Sequence, residues 1–154
     1  MVKELEEVYS LRVVLECFVI ERVMGNWSGE ARAKLQAIVE SMVQAAQSGD
    51  KTQVSDLDTK FHETLWNLAN HRILLEVVSS LRIRITRFLV KANTAISRDE
   101  LDAHVQAHQI LLDYLNSGDV KAAQAKITEH ILGGKRRIKK VYKTAPEDND
   151  YDAS

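Results

Sequence analysis

Apolar side chains recur at helical spacing from the beginning of the chain. Between about residues 3 and 24, Leu5, Val8, Leu15, Val19 and Val23 fall on one stripe, which stops near Gly25-Asn26. A second stripe, Leu35, Ile38, Val39 and Met42, predicts a helix from about 30 to 47 that ends at Ser48-Gly49-Asp50. A third helix is expected over about 52–69. A fourth, over about 72–94, carries apolar residues around much of its circumference, which predicts a helix deep in the bundle. Ser97-Arg98-Asp99-Glu100 has the spacing of a capping box and opens a fifth helix, which ends at Ser117-Gly118-Asp119. The sixth runs from about Val120 through Ile131 and continues toward Tyr142 unless Gly133-Gly134 ends or bends it. No strand-like alternation separates these segments. The pattern predicts an all-α fold, a single antiparallel bundle of about six to seven helices with short connections.

Composition narrows this picture without redirecting it. A chain of 154 residues can bury one continuous core, and 45% hydrophobic with 28% charged residues is the balance of a soluble globular domain. Cys17 is the single cysteine, so no internal disulfide is possible; it reads as a small core residue. No apolar run approaches the roughly 18 residues that span a bilayer, and the acidic start is unlike a signal peptide, so a cytoplasmic protein is expected. With 21 basic and 22 acidic side chains the formal net charge is −1, and no global field attracts nucleic acid. The basic cluster Lys135, Arg136, Arg137, Lys139, Lys140 and Lys143 reads as a solvated helix end whose cations suit the negative pole of the helix dipole, with a DNA contact as the alternative. The acidic residues that follow predict a disordered tail over 144–154.

The informative residues are polar ones that point with the apolar stripes. Asp58 and His62, four residues apart, share a face with Val54, Phe61 and Leu65. His108 shares one with Leu101, Leu111, Leu112 and Leu115, and His130 one with Ala123 and Ile127. A lone inward histidine is more often a hydrogen-bonded core residue than a ligand. A carboxylate and three imidazoles buried separately would each carry a desolvation cost, however, so convergence on one cation explains them together. His104, one turn before His108, is a fourth imidazole, an outer partner or a pocket-lining group. Arg12 and Arg82 also point inward. Arg12 is satisfied most simply by Glu16 one turn later; the functional alternative for both is an anionic ligand held by a guanidinium fork.

These residues resemble the FCD domain, the effector-binding module of the FadR subfamily of GntR transcription regulators. The resemblance covers roughly residues 5–135. It rests on Leu11-Arg12-Val13-Val14-Leu15-Glu16, on Asp58 followed by Phe61-His62, on Asn70 through Leu74, on His108-Gln109-Ile110-Leu111, on Gly118-Asp119 with Ala122-Ala123, and on Glu129-His130-Ile131. It implies that Asp58, His62, His108 and His130 coordinate a divalent metal, zinc or nickel. It also implies an adjoining pocket for a small carboxylate effector, served by Arg12, Arg82 and His104, and a homodimer. Residues 1–143 would form this domain. The winged helix-turn-helix that such regulators carry is absent from the sequence, so DNA would be reached only through such a domain. Ala107 departs from the acidic residue that many relatives place before the histidine.

The expected function is therefore ligand sensing and dimerisation for a transcription regulator, not catalysis. Alternatives are a metal-dependent hydrolase or lyase, for which His104 is the obvious general base, and a stand-alone helical interaction domain. No Gly-x-Ser-x-Gly, phosphate loop or His-Glu-x-x-His motif supports an enzyme.

Overall fold

The computed structural model describes residues 2–144, which form six helices and, among the described residues, no strand: α1 (Val2–Gly25), α2 (Gly29–Gln47), α3 (Lys51–Leu68), α4 (Arg72–Thr94), α5 (Arg98–Ser117) and α6 (Val120–Thr144). The tail expected over 144–154 lies, beyond Thr144, outside the described residues.

Short polar connections set the ends of these helices. Ser28 and Asp50 cap α2 and α3 by accepting from the backbone N–H groups of Ala31 and Gln53. Asn70, with a φ of 49°, turns the chain in the left-handed region that asparagine tolerates, and the next residue, His71, caps α4 through Nδ1, which accepts from the Leu74 N–H. The capping box at Ser97 and Glu100 is complete, and Gly118 closes α5 at φ 80°.

Because each connection is short, consecutive helices reverse direction, and side-chain pairs show the same reversal between distant ones. Glu6 meets Lys135 and Lys139 while Cys17 meets Gln124 and Thr128, so α1 and α6 run antiparallel. Gln36 and Gln109 join α2 to α5. Each helix turns its apolar stripe inward, and the core runs continuously from Tyr9, Val19 and Ile20 through Leu35, Met42, Phe61 and Leu65 to Leu111, Leu115 and Ile127.

Two expectations change. The fourth helix lies less deep than expected: Leu74, Val78, Arg82, Ile85 and Leu89 face the core, but the apolar Ile73, Val77, Ile83 and Val90 are exposed, Ile83 at 74%. Its apolar character serves two faces. The sixth helix runs unbroken through Gly133-Gly134. Glycine costs a helix interior about 1 kcal/mol relative to alanine, so two in succession are tolerated only where packing compensates. A Cβ at Gly134 would already touch Leu89 and the Tyr9 hydroxyl, both at 3.4 Å, and this position lets α6 lie close against α1 and α4.

Candidate metal centre

Helices α3, α5 and α6 bring four ligand-type side chains to one point beneath the core. One ligand atom each from Asp58, His62, His108 and His130 lies within 4.8 Å of the others. His108 Nε2 stands 2.7 Å from Asp58 Oδ1, His62 Nε2 stands 3.4 Å from the same oxygen, and His130 Nε2 stands 3.9 Å from it. The two imidazoles of His62 and His130 face each other through Nε2 at 3.0 Å. Tetrahedral coordination with bonds of about 2.0–2.1 Å would place donor atoms about 3.3 Å apart, so these separations bracket the required spacing.

The proton inventory makes the fit sharper. His108 Nδ1 lies 2.8 Å from the backbone oxygen of His104, which can only accept, so Nδ1 carries a proton. In neutral His108 the Nε2 atom is then a lone pair aimed at a carboxylate oxygen 2.7 Å away. Two acceptors at that distance require positive charge between them, either a second ring proton or a cation. A histidine that donates one N–H to a backbone carbonyl and turns the other nitrogen inward is also how metal-ligating imidazoles are held.

Burial is nearly complete, with side-chain exposures of 5% for Asp58, 2% for His62, 0% for His108 and 8% for His130. Desolvation pushes His130 and His104 well below the ordinary imidazole value of 6.5, helped by neighbouring histidines, and pushes His62 down despite the opposing pull of Asp58. Burial would raise Asp58, but His62, His108 and Arg82 together hold its carboxyl well below the ordinary range. Neutral imidazoles around one ionised carboxylate are the protonation state that binds a divalent cation.

The remaining predicted residues separate into two groups. Arg82 donates to Asp58 Oδ2 at 3.0 Å and so steadies the carboxylate, leaving Oδ1 to the histidines. Arg12 donates through Nε to Glu16 at 2.9 Å, the structural pairing that its spacing indicated. Both arginines line a void of about 10 Å³ with Asp58, His62, His130 and Gly134, enough room for about one water-sized group and not for an organic acid. His104 lies at the edge of the centre, with an Nε2 that stands 3.7 Å from Asp58 Oδ1 and has no hydrogen-bond partner among the described residues. It lines instead a groove of about 490 Å³ between α5 and α6, together with Ala107, His130, Gly133, Arg136 and Arg137.

The basic cluster is only in part the solvated helix end expected of it: Arg136, Lys140 and Lys143 are exposed, but Lys135, Arg137 and Lys139 are partly buried. Lys135 and Lys139 clamp Glu6, Lys140 pairs with Glu100 at 2.6 Å, and Arg137 donates to Asn93 Oδ1 at 3.2 Å. Arg137 is half-buried and lines both the groove and the inner void. Its sequence signal was the i, i+7 spacing from His130, hidden by the lysines around it.

Comparisons with known proteins place the chain in a family. The chain is 26% identical over 127 residues to the HTH-type transcriptional regulator McbR of Escherichia coli (strain K12), covering 82% of this chain and 58% of that protein. It is 26% identical over 129 residues to a probable D-xylose utilization operon transcriptional repressor of Paenarthrobacter nicotinovorans, covering 84% and 55%. It is 26% identical over 120 residues to the gluconate operon transcriptional repressor of Bacillus licheniformis, covering 76% and 49%. The chain thus spans about half the length of these curated relatives. The solved structure of E. coli McbR/YncC superposes with a TM-score of 0.83 at 25% identity, covering 90% of this chain and 69% of that one. The FCD domain matches residues 7–133, and the chain therefore belongs to the FCD domain family, an all-α module of GntR-type transcriptional regulators rather than of enzymes.

Proposed function

We propose that this domain senses a small organic acid through a divalent metal held by Asp58, His62, His108 and His130, and passes its occupancy to a DNA-reading winged-helix domain that residues 2–144 do not contain. The observation that carries this reading is the 2.7 Å approach of His108 Nε2 to Asp58 Oδ1 with Nδ1 already committed to a backbone carbonyl. A bound zinc or nickel ion would supply Lewis acidity and, by taking five or six ligands rather than the four of a closed tetrahedral site, would accept a carboxylate oxygen as well.

The protein's own residues do the rest. Arg82 fixes the Asp58 carboxylate and ties α3 to α4, while Asn93 on α4 holds Arg137 of α6. A ligand that draws on His130 or Arg137 therefore bears on α4 directly, and helix shifts at an interface are a common way for ligand occupancy to be transmitted. The exposed face of α4 is apolar at Ile73, Val77, Ile83 and Val90, beside Leu11, Val14 and Phe18 of α1. The Glu4–Arg84 ion pair and the Phe18–His71 ring contact link these two helices along that side. We assign this face to a second copy of the chain, forming a homodimer.

The test is thermal unfolding of chelator-treated protein with zinc or nickel added back, then with small carboxylates added at fixed metal. Stabilisation by metal, and further stabilisation by at least one acid only when metal is present, is the expected result. No shift with any divalent ion would remove the sensor reading.

A further inference from the structure

Gly133 and Gly134 lie within a continuous helix, and neither has the positive φ that would use glycine's backbone freedom. What they provide is space. A Cβ on Gly133 would lie 3.6 Å from Arg136 Nη2 and 3.6 Å from Arg137 Nη1, and one on Gly134 would lie 3.7 Å from Arg137 Nη2. Helical side chains lean toward the N-terminus, so both guanidiniums fold back over the glycine pair toward His130.

The charges in the groove single out these two arginines. Glu129 is paired with Lys126 at 3.3 Å, and Glu100 with Lys140. Arg137 uses only Nε, toward Asn93, and neither its Nη groups nor Arg136 has a hydrogen bond or ion pair among the described residues. Two guanidinium forks thus face a groove of about 490 Å³, a volume typical of small-molecule sites, one turn and more from a candidate metal ligand.

We propose that Arg136 and Arg137, laid over Gly133-Gly134, form a second anion seat, so that the effector is an acid with two anionic groups: one directed to the Asp58–histidine centre, the other gripped by the guanidiniums. This rests on the sensor reading above and names its ligand class. Seven residues of helix rise separate His130 from Arg137, about 10 Å, and an arginine reaching back one turn leaves roughly 5 Å, the span of a four- or five-carbon dicarboxylate. Neutral and monoanionic ligands would leave the forks unfilled.

Isothermal titration of zinc-loaded protein with succinate and with butyrate tests this, alongside zinc content and melting temperature. Wild type should bind succinate about 10- to 100-fold more tightly, the range expected for hydrogen bonds to charged groups. Arg137→Gln, and separately the exposed Arg136→Gln, should each narrow that ratio while zinc content and butyrate affinity hold; Arg137→Lys should keep part of it. Gly133→Leu, which crowds the guanidiniums, should also lose succinate selectively. Equal affinity of wild type for the two acids, or equal loss of both acids in the arginine variants at full zinc content, would overturn the second seat and leave the sensor reading intact. Zinc-loaded wild type binding neither acid would overturn the second seat, and no zinc bound at all would overturn both.

Discussion

Asp58 is the residue on which most of the centre depends, and its ion pair with Arg82 gives a measurable consequence that needs no metal. The two charges stand 3.0 Å apart with side-chain exposures of 5% and 9%, so neither has much water to fall back on. At an effective dielectric constant of about 20 the attraction at this distance is about 5 kcal/mol, against which both desolvation costs stand. Removing one partner leaves the other buried and uncompensated, which typically costs about 3–5 kcal/mol. Asp58→Asn in chelator-treated protein should therefore lose about that much stability in urea unfolding, since the amide keeps the shape and discards the charge that Arg82, His62 and His108 face. Arg82→Leu should lose a comparable amount. The double variant should be less damaged than the sum of the two by at least about 1 kcal/mol, because the second change removes the charge that the first has orphaned. Additive losses, with a coupling energy below about 0.3 kcal/mol, would refute the reasoning that the two groups are joined in solution.

Other consequences follow from separate parts of the structure. His104, His130 and His62 are held below 6.5 when folded, so below that pH the unfolded chain binds more protons; metal-free stability should be full above pH 7 and fall as pH drops through 6.5, whereas the contribution of Asp58 should persist until much more acid pH. Urea midpoints between pH 7.5 and 5 check this, and a flat profile would contradict it. Gly134→Val should cost about 1–3 kcal/mol, because its methyl groups extend past contacts already at 3.4 Å with Leu89 and Tyr9. Ser97→Ala should cost about 1 kcal/mol through loss of the α5 capping box, seen as a melting temperature lower by a few degrees. Val14→Asp or Ile83→Glu, at positions 66% and 74% exposed, should leave the fold intact and shift sedimentation from dimer to monomer.

Much of this was legible in the chain. Helical periodicity located all six helices to within a residue or two at most ends, because apolar residues recur at helical spacing along each and strong boundaries such as Ser97 and Gly118 separate them. The same wheels placed Asp58, His62 and His108 inward, since each falls on the apolar stripe of its own helix. Two features were less visible. The fourth helix looked deep in the bundle because side-chain hydrophobicity does not distinguish a face against the core from one left for a second surface, and Ile83 serves the latter. Arg137 vanished among lysines and arginines, for wheel position alone does not reveal that two glycines one turn earlier let its head group lie back toward His130.

The central claim is tested most directly by elemental analysis of gently purified protein beside its His108→Ala and His130→Ala variants. About one zinc or nickel per chain in the wild type, lost in both variants while helical content by circular dichroism is retained, is the predicted result. No metal in the wild type after exposure to zinc and nickel, or equal metal in all three proteins, would contradict the account.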